Sequence, residues 1–231
     1  MLYCVLFYVV KYSTRGDSMK RGIIFDLDGT LWDSSDQVIN AWNEVLNNCE
    51  DINFKITSDD IRSVMGKTID EIGKIFFSNV SDKRAMEIMK MCCDAEEEYL
   101  SKHGGKLYSN LEKTLEVLNR NYTLYIVSNC QEGYVKSFFD YHKLDKYFTD
   151  YEESGRTGLQ KGENIKLVIK RNNLDQAIYI GDTQGDYNAT VIAGIPFVHS
   201  KYGFGNIDRE TRYINNIEEI IEMADNIFQE L

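Results

Sequence analysis

The sequence predicts an α/β protein: a doubly wound, Rossmann-like parallel sheet core carrying an inserted all-helical unit. Three observations support this. Apolar runs of strand length alternate with amphipathic segments of helix length through the second half of the 231-residue chain, the pattern of βαβ units. Residues 34–103 contain only helix-period patterns. The predicted strands end in polar residues, and ligands of such sheets bind beyond the carboxyl ends of the strands.

The elements follow in order. The apolar run Leu2–Val10 is nine residues long, too short to cross a bilayer. It lacks the basic flank and small-residue cleavage site of a signal peptide. Residues 1–18 are therefore expected to be an extension ahead of a natural start at Met19, the alternative being an added edge strand. Gly22–Leu27 reads as a buried strand. Val38, Trp42, Val45 and Leu46 then mark one helix face. Thr57–Asp60 and Thr68–Glu71 have capping-box spacing and open two further helices separated by Gly66. A long helix with Met86, Met89, Cys93 and Leu100 on one stripe ends at His103-Gly104-Gly105. Next come a helix from Ser109, strand Thr123–Val127, helix Gly133–Asp140 and a short strand near Phe148–Tyr151. Helix Glu163–Asn172, strand Ala177–Ile180, helix Gly185–Ala193, strand Pro196–His199 and a terminal helix over 217–229 complete the chain. The expected division is a core of residues 19–33 and 106–231 and a helical cap of residues 34–105.

A net charge of −11 argues against nucleic acid or an anionic membrane as partner. A small phosphorylated metabolite held at one local positive site remains compatible with it. The five cysteines are odd in number and lack a CxxC spacing, so neither a disulfide framework nor a zinc site is expected, and a cytoplasmic location is. A monomer or homodimer is expected.

Four strand ends carry the candidate chemistry: Asp26 and Asp28 after the first, Ser128-Asn129 after the second, Lys161 before a helix start, and Asp182 with Asp186 after the fourth. Singly, each has an ordinary explanation, as a turn, a helix cap or a solvated charge. Together they gather at one sheet edge. Asp26 and Asp28 share a face if the pleat continues. Carboxylates brought that close raise one another's pKa unless a cation neutralises them. Oxygen ligands suit Mg²⁺, and the three histidines show no zinc spacing.

These motifs, DLDGTL at 26–31, Ser128, Lys161 and GDTQGD at 181–186, resemble in order those of the haloacid dehalogenase superfamily. The similarity is to its phosphoglycolate-phosphatase-like hydrolases with a helical cap, and spans roughly residues 20–231. The resemblance implies that Asp26 is the nucleophile forming an aspartyl-phosphate and Asp28 the general acid and base. It implies that Ser128, Asn129, Gly29 and Thr30 bind substrate and that Lys161 steadies nucleophile and phosphate. Mg²⁺ would be held by Asp26, Asp182 and the backbone carbonyl of Asp28, with Asp186 acting behind them or through water. Lys161-Gly162 departs from the family's frequent Lys-Pro.

The function expected from the resemblance is hydrolysis of a small phosphate monoester. A sugar phosphomutase is the alternative, and a non-catalytic member of the fold a further one. Arg62 and Lys67, flanking Gly66, could touch substrate from the cap or could be solvated helix-end charges. Trp32 and Trp42 are expected to pack. A cysteine phosphatase built on Cys130 is disfavoured, because the arginine that mechanism needs six residues on is Lys136.

Overall fold

The structure is a computed structural model that describes residues 19–231; the expectations for residues 1–18 lie outside the described residues. Six parallel strands form one sheet: β1 (Arg21–Phe25), β4 (Thr123–Ser128), β5 (Phe148–Glu153), β6 (Gln176–Gly181), β7 (Phe197–Ser200) and β8 (Arg212–Ile214), in the order β5-β4-β1-β6-β7-β8. The winding reverses around β1. Its register sets Phe25 beside Ile126 of β4 and Ile180 of β6, so β4 runs two residues and β6 one residue beyond the end of β1.

Alternation along β1 builds two cores. Ile23 and Phe25 join Leu115 of α5 (Leu111–Leu118), Phe138 of α6 (Tyr134–His142) and Phe228 of α10 (Ile220–Glu230) on one face. Ile24 joins Tyr125, Tyr179, Ile165 and Val168 on the other, the last two from α8 (Lys161–Arg171), with α9 (Gln184–Ala193) alongside. Each fully buried apolar side chain of this kind stabilises the fold by about 1.5–3 kcal/mol.

Between β1 and α5 the chain leaves the sheet. β2 (Trp32–Asp33) and β3 (Lys106–Leu107) pair antiparallel in a two-stranded ribbon that is not among the elements expected from the sequence. Such short pairings carry no periodic signal. Four helices lie between the ribbon strands: α1 (Ser35–Leu46), α2 (Ser58–Val64), α3 (Ile69–Phe76) and α4 (Asp82–His103). They share their own core of Val38, Trp42, Ile61, Phe77, Ile88 and Met89. Both capping boxes form: Asp60 accepts from Thr57 N at 2.8 Å and Glu71 from Thr68 N at 2.8 Å. Met86 is 42% exposed rather than part of the buried stripe, which runs through Ala85, Ile88, Met89, Cys92 and Cys93. A helical turn, α7 (Ser154–Thr157), follows β5, and β8 follows β7; neither is among the elements expected from the sequence. No helix among the described residues is long and apolar enough to cross a membrane.

Candidate active site

Asp26 follows β1 directly, and its N–H donates to Ile180 O at 2.8 Å. Asp182 follows β6. Asp186 lies in the first turn of α9, where its Oδ2 accepts from Thr183 N at 2.9 Å and Thr183 Oγ1 at 2.7 Å. These three carboxylates offer oxygens that all lie within 4.8 Å of one another. Lys161, 4% exposed, places Nζ 2.5 Å from Asp186 Oδ1 and 3.0 Å from Asp26 Oδ1. The second contact has ion-pair distance without hydrogen-bond alignment, because Asp26 Oδ1 has no hydrogen-bond partner.

The electrostatics follow from burial. Desolvation pushes Asp26 up to about 7, with repulsion from Asp186 adding and Lys161 opposing. Desolvation also drives Asp182 well above the ordinary carboxylate range, helped by Asp186 and Asp26. Burial acts on Asp186 in the same direction, but the Lys161 ammonium and the Thr183 bonds outweigh it and hold that acid low. Burial works against the Lys161 charge, yet its two carboxylates raise its pKa above the usual lysine value.

A hard cation fits this arrangement. The donors are all oxygen, and Asp26 Oδ1 and Asp182 Oδ1 are buried without hydrogen-bond partners. Both oxygens of Asp186 are already engaged, by Lys161 and by Thr183. Asp182 is also held in place from outside its strand, its Oδ2 accepting from Phe204 N at 2.7 Å. Gly29, at φ +75°, backs onto it: a Cβ there would lie 2.2 Å from Asp182 Oδ2.

Asp28 sits apart from this cluster, so the shared face does not bring its carboxylate to the other two; β1 ends at Phe25 and the pleat does not continue. Its Oδ1 accepts from Trp32 Nε1 at 2.9 Å, Ser34 Oγ at 2.6 Å and Tyr134 OH at 2.9 Å. Burial raises its pKa, against the lowering by those three bonds. Trp32 therefore does more than pack. Tyr134, which arrives from α6, has no local sequence signal connecting it to Asp28.

Asp26, Asp28, Ser128 and Asn129 line one cavity with the cap. Asn129 is turned to the cap: its Nδ2 donates to Gly66 O at 2.8 Å while its Oδ1 accepts from Ser154 Oγ at 2.8 Å. Its amide therefore links core and cap instead of standing free for substrate. Thr30 lies outside the lining of that cavity. It is wholly buried, with its hydroxyl 3.1 Å from Ser200 Oγ, because the turn after Asp28 aims it at the end of β7. Lys67 lines the cavity from an exposed position, and Arg62 is exposed beside it. Gly162 stands where the family often has proline because α8 and α9 are tight there; a Cβ would lie 2.9 Å from Ile192 Cβ.

The family model for haloacid dehalogenase-like hydrolases matches residues 23–200. The phosphoglycolate phosphatase of Aliivibrio fischeri is 25% identical over 197 residues, covering 80% of this chain and 85% of its own. That of Aquifex aeolicus is 24% identical over 220 residues, covering 89% of this chain and 97% of its own. In structure, the chain is similar to a haloacid dehalogenase-like family hydrolase of Streptococcus pneumoniae, with a TM-score of 0.74 and 22% identity over 89% of this chain and 98% of that one.

Proposed function

The chain belongs to the haloacid dehalogenase-like hydrolase family, and from that premise we propose that it is a Mg²⁺-dependent phosphatase acting on a small phosphate monoester through an aspartyl-phosphate. The observation that carries this reading is the buried Lys161 between Asp26 and Asp186, beside a carboxylate cluster with unpartnered oxygens. The phosphoglycolate phosphatases among its relatives support the phosphoryl chemistry.

In this reading Asp26, Asp182 and the Asp28 carbonyl would hold the metal, with Asp186 fixing Lys161 behind them. Bound there, Mg²⁺ would neutralise the carboxylates and the phosphoryl oxygens. A carboxylate oxygen of Asp26 attacks phosphorus as the bond to the leaving oxygen breaks. Asp28 gives its proton to that oxygen. Its Oδ1 is saturated by three donors, so the proton belongs on Oδ2. Water then attacks the phosphorus, Asp28 takes the water's proton, and the bond to Asp26 breaks to release phosphate. Lys161 and Ser128 stabilise the phosphoryl oxygens, where charge neutralisation does most of the catalysis. The cap excludes water from the first step.

The test is phosphate release from a panel of monoesters with Mg²⁺, using Asp26→Asn as blank. Turnover above the blank, abolished by chelation, is expected. Isomerised product without free phosphate would turn the reading to the mutase.

A further inference from the structure

The cavity between cap and sheet edge contains a second polar pair that phosphoryl transfer does not use. Its cap wall is mostly apolar, formed by Val38, Ile61, Val64, Ile69 and Ile72. Glu96 of α4 interrupts that wall. It is 4% exposed and accepts from Trp42 Nε1 at 2.6 Å. No cation among the described residues lies within ion-pair distance of it; the cavity's lysine, Lys67, is exposed. A buried acid without a cation is costly, and an apolar residue would stabilise this cap better. Burial pushes Glu96 up to about 8, with the Trp42 bond opposing and the Asp28 charge adding.

Gln131 reaches the same cavity from the core. Its Nε2 is buried and has no hydrogen-bond partner, and its amide is near enough to draw the Glu96 pKa back down. An unpaired donor therefore stands beside a carboxyl acceptor, close to the phosphoryl site. A hydroxyl satisfies both, accepting from Gln131 and donating to Glu96. An ammonium cannot accept, and a methyl group can do neither. A carboxylate would be a second buried acid without a cation, whichever of the two held the proton.

We propose that this pair binds a hydroxyl of the leaving group, so that the substrate is a short polyol phosphate and not a phosphorylated carboxylic acid. The proposal rests on the phosphatase reading above and adds the substrate class to it. Asp26 and Asp28 line the same cavity as Glu96 and Gln131, so a leaving group that reaches from the phosphoryl site to the pair is short.

The experiment compares kcat/KM for glycerol 3-phosphate, propyl phosphate, 3-phosphoglycerate and phosphoglycolate, in the parent, Gln131→Met and Glu96→Leu. A site built for a hydroxyl rejects analogues lacking it strongly, so glycerol 3-phosphate should exceed propyl phosphate by about 100-fold or more. Both carboxylates should rank below glycerol 3-phosphate, and either variant should cut the glycerol-to-propyl ratio about tenfold. Parent preferences suffice for judgement if a variant does not fold. Preference for propyl phosphate or either carboxylate, or an unchanged ratio in folded variants, overturns the proposal alone. No turnover of any ester above Asp26→Asn overturns the phosphatase reading and the proposal with it.

Discussion

Lys161→Met preserves the reach of the side chain and removes its charge. In the parent the ammonium is 4% exposed and stands between Asp26 and Asp186, whose side chains are 3% and 0% exposed. Removing one partner from a buried ionic group typically costs about 3–5 kcal/mol. For a chain of this size each kcal/mol moves Tm by about 2–4 °C, so metal-free protein at pH 8 should melt about 6–20 °C lower. The loss should depend on pH. Without Lys161, burial and mutual repulsion raise Asp26, Asp182 and Asp186 in the folded state above their unfolded values of about 3.9. A group raised on folding stabilises fully below its unfolded pKa and loses that contribution as pH rises through the folded one. The variant should therefore recover toward acid pH. Asp186 in the parent is held low, so its contribution is present above about 4 and lost as pH falls. Thermal unfolding at pH 5 and pH 8, with and without millimolar Mg²⁺, measures this. Mg²⁺ should return part of the lost stability at pH 8 without restoring turnover. A variant that melts within about 2 °C of the parent at both pH values would refute the reasoning, because the buried charges would then not depend on Lys161.

Three further outcomes are expected. Mg²⁺ must displace protons from Asp26, which burial raises to about 7, and from Asp182, also raised; apparent affinity should fall about tenfold per pH unit per proton below 7. Calorimetry in buffers of different ionisation enthalpy reads that proton release, and a Kd independent of pH contradicts it. Tyr134→Phe removes a donor 2.9 Å from Asp28 Oδ1; because that bond favours the carboxylate, the limb of the pH–kcat profile set by Asp28 should move upward. The accompanying loss in kcat should be about tenfold, for ~1.4 kcal/mol of hydrogen bond, and an unmoved profile counts against the assignment. Asn129→Ala frees the cap loop at Gly66, so steady-state kinetics should show KM rising about 2–10-fold for a hydrogen bond of ~0.5–1.5 kcal/mol, with kcat less affected. An unchanged KM would mean that the cap closes without this link.

The sequence by itself determined the strands around β1, because apolar runs of strand length need burial on both faces of a parallel sheet. It determined the starts of α2 and α3, because Thr57–Asp60 and Thr68–Glu71 satisfy their own helix N-termini locally. It also determined that acidic residues stand at the ends of β1 and β6, since both follow directly on apolar runs. The tertiary structure decided what those residues touch. Asp28 is gripped by Tyr134, which lies 106 residues away, and Glu96 meets Trp42 across 54 residues. Thr30 faces Ser200 instead of the cavity, and Met86 lies outside the cap's core. The ribbon of β2 and β3 joins two-residue segments too short to show a period. Periodicity and capping are properties of neighbouring residues, readable along the chain. The hydrogen bonds and pKa values of a buried site depend on which distant elements desolvate it, and packing alone settles that.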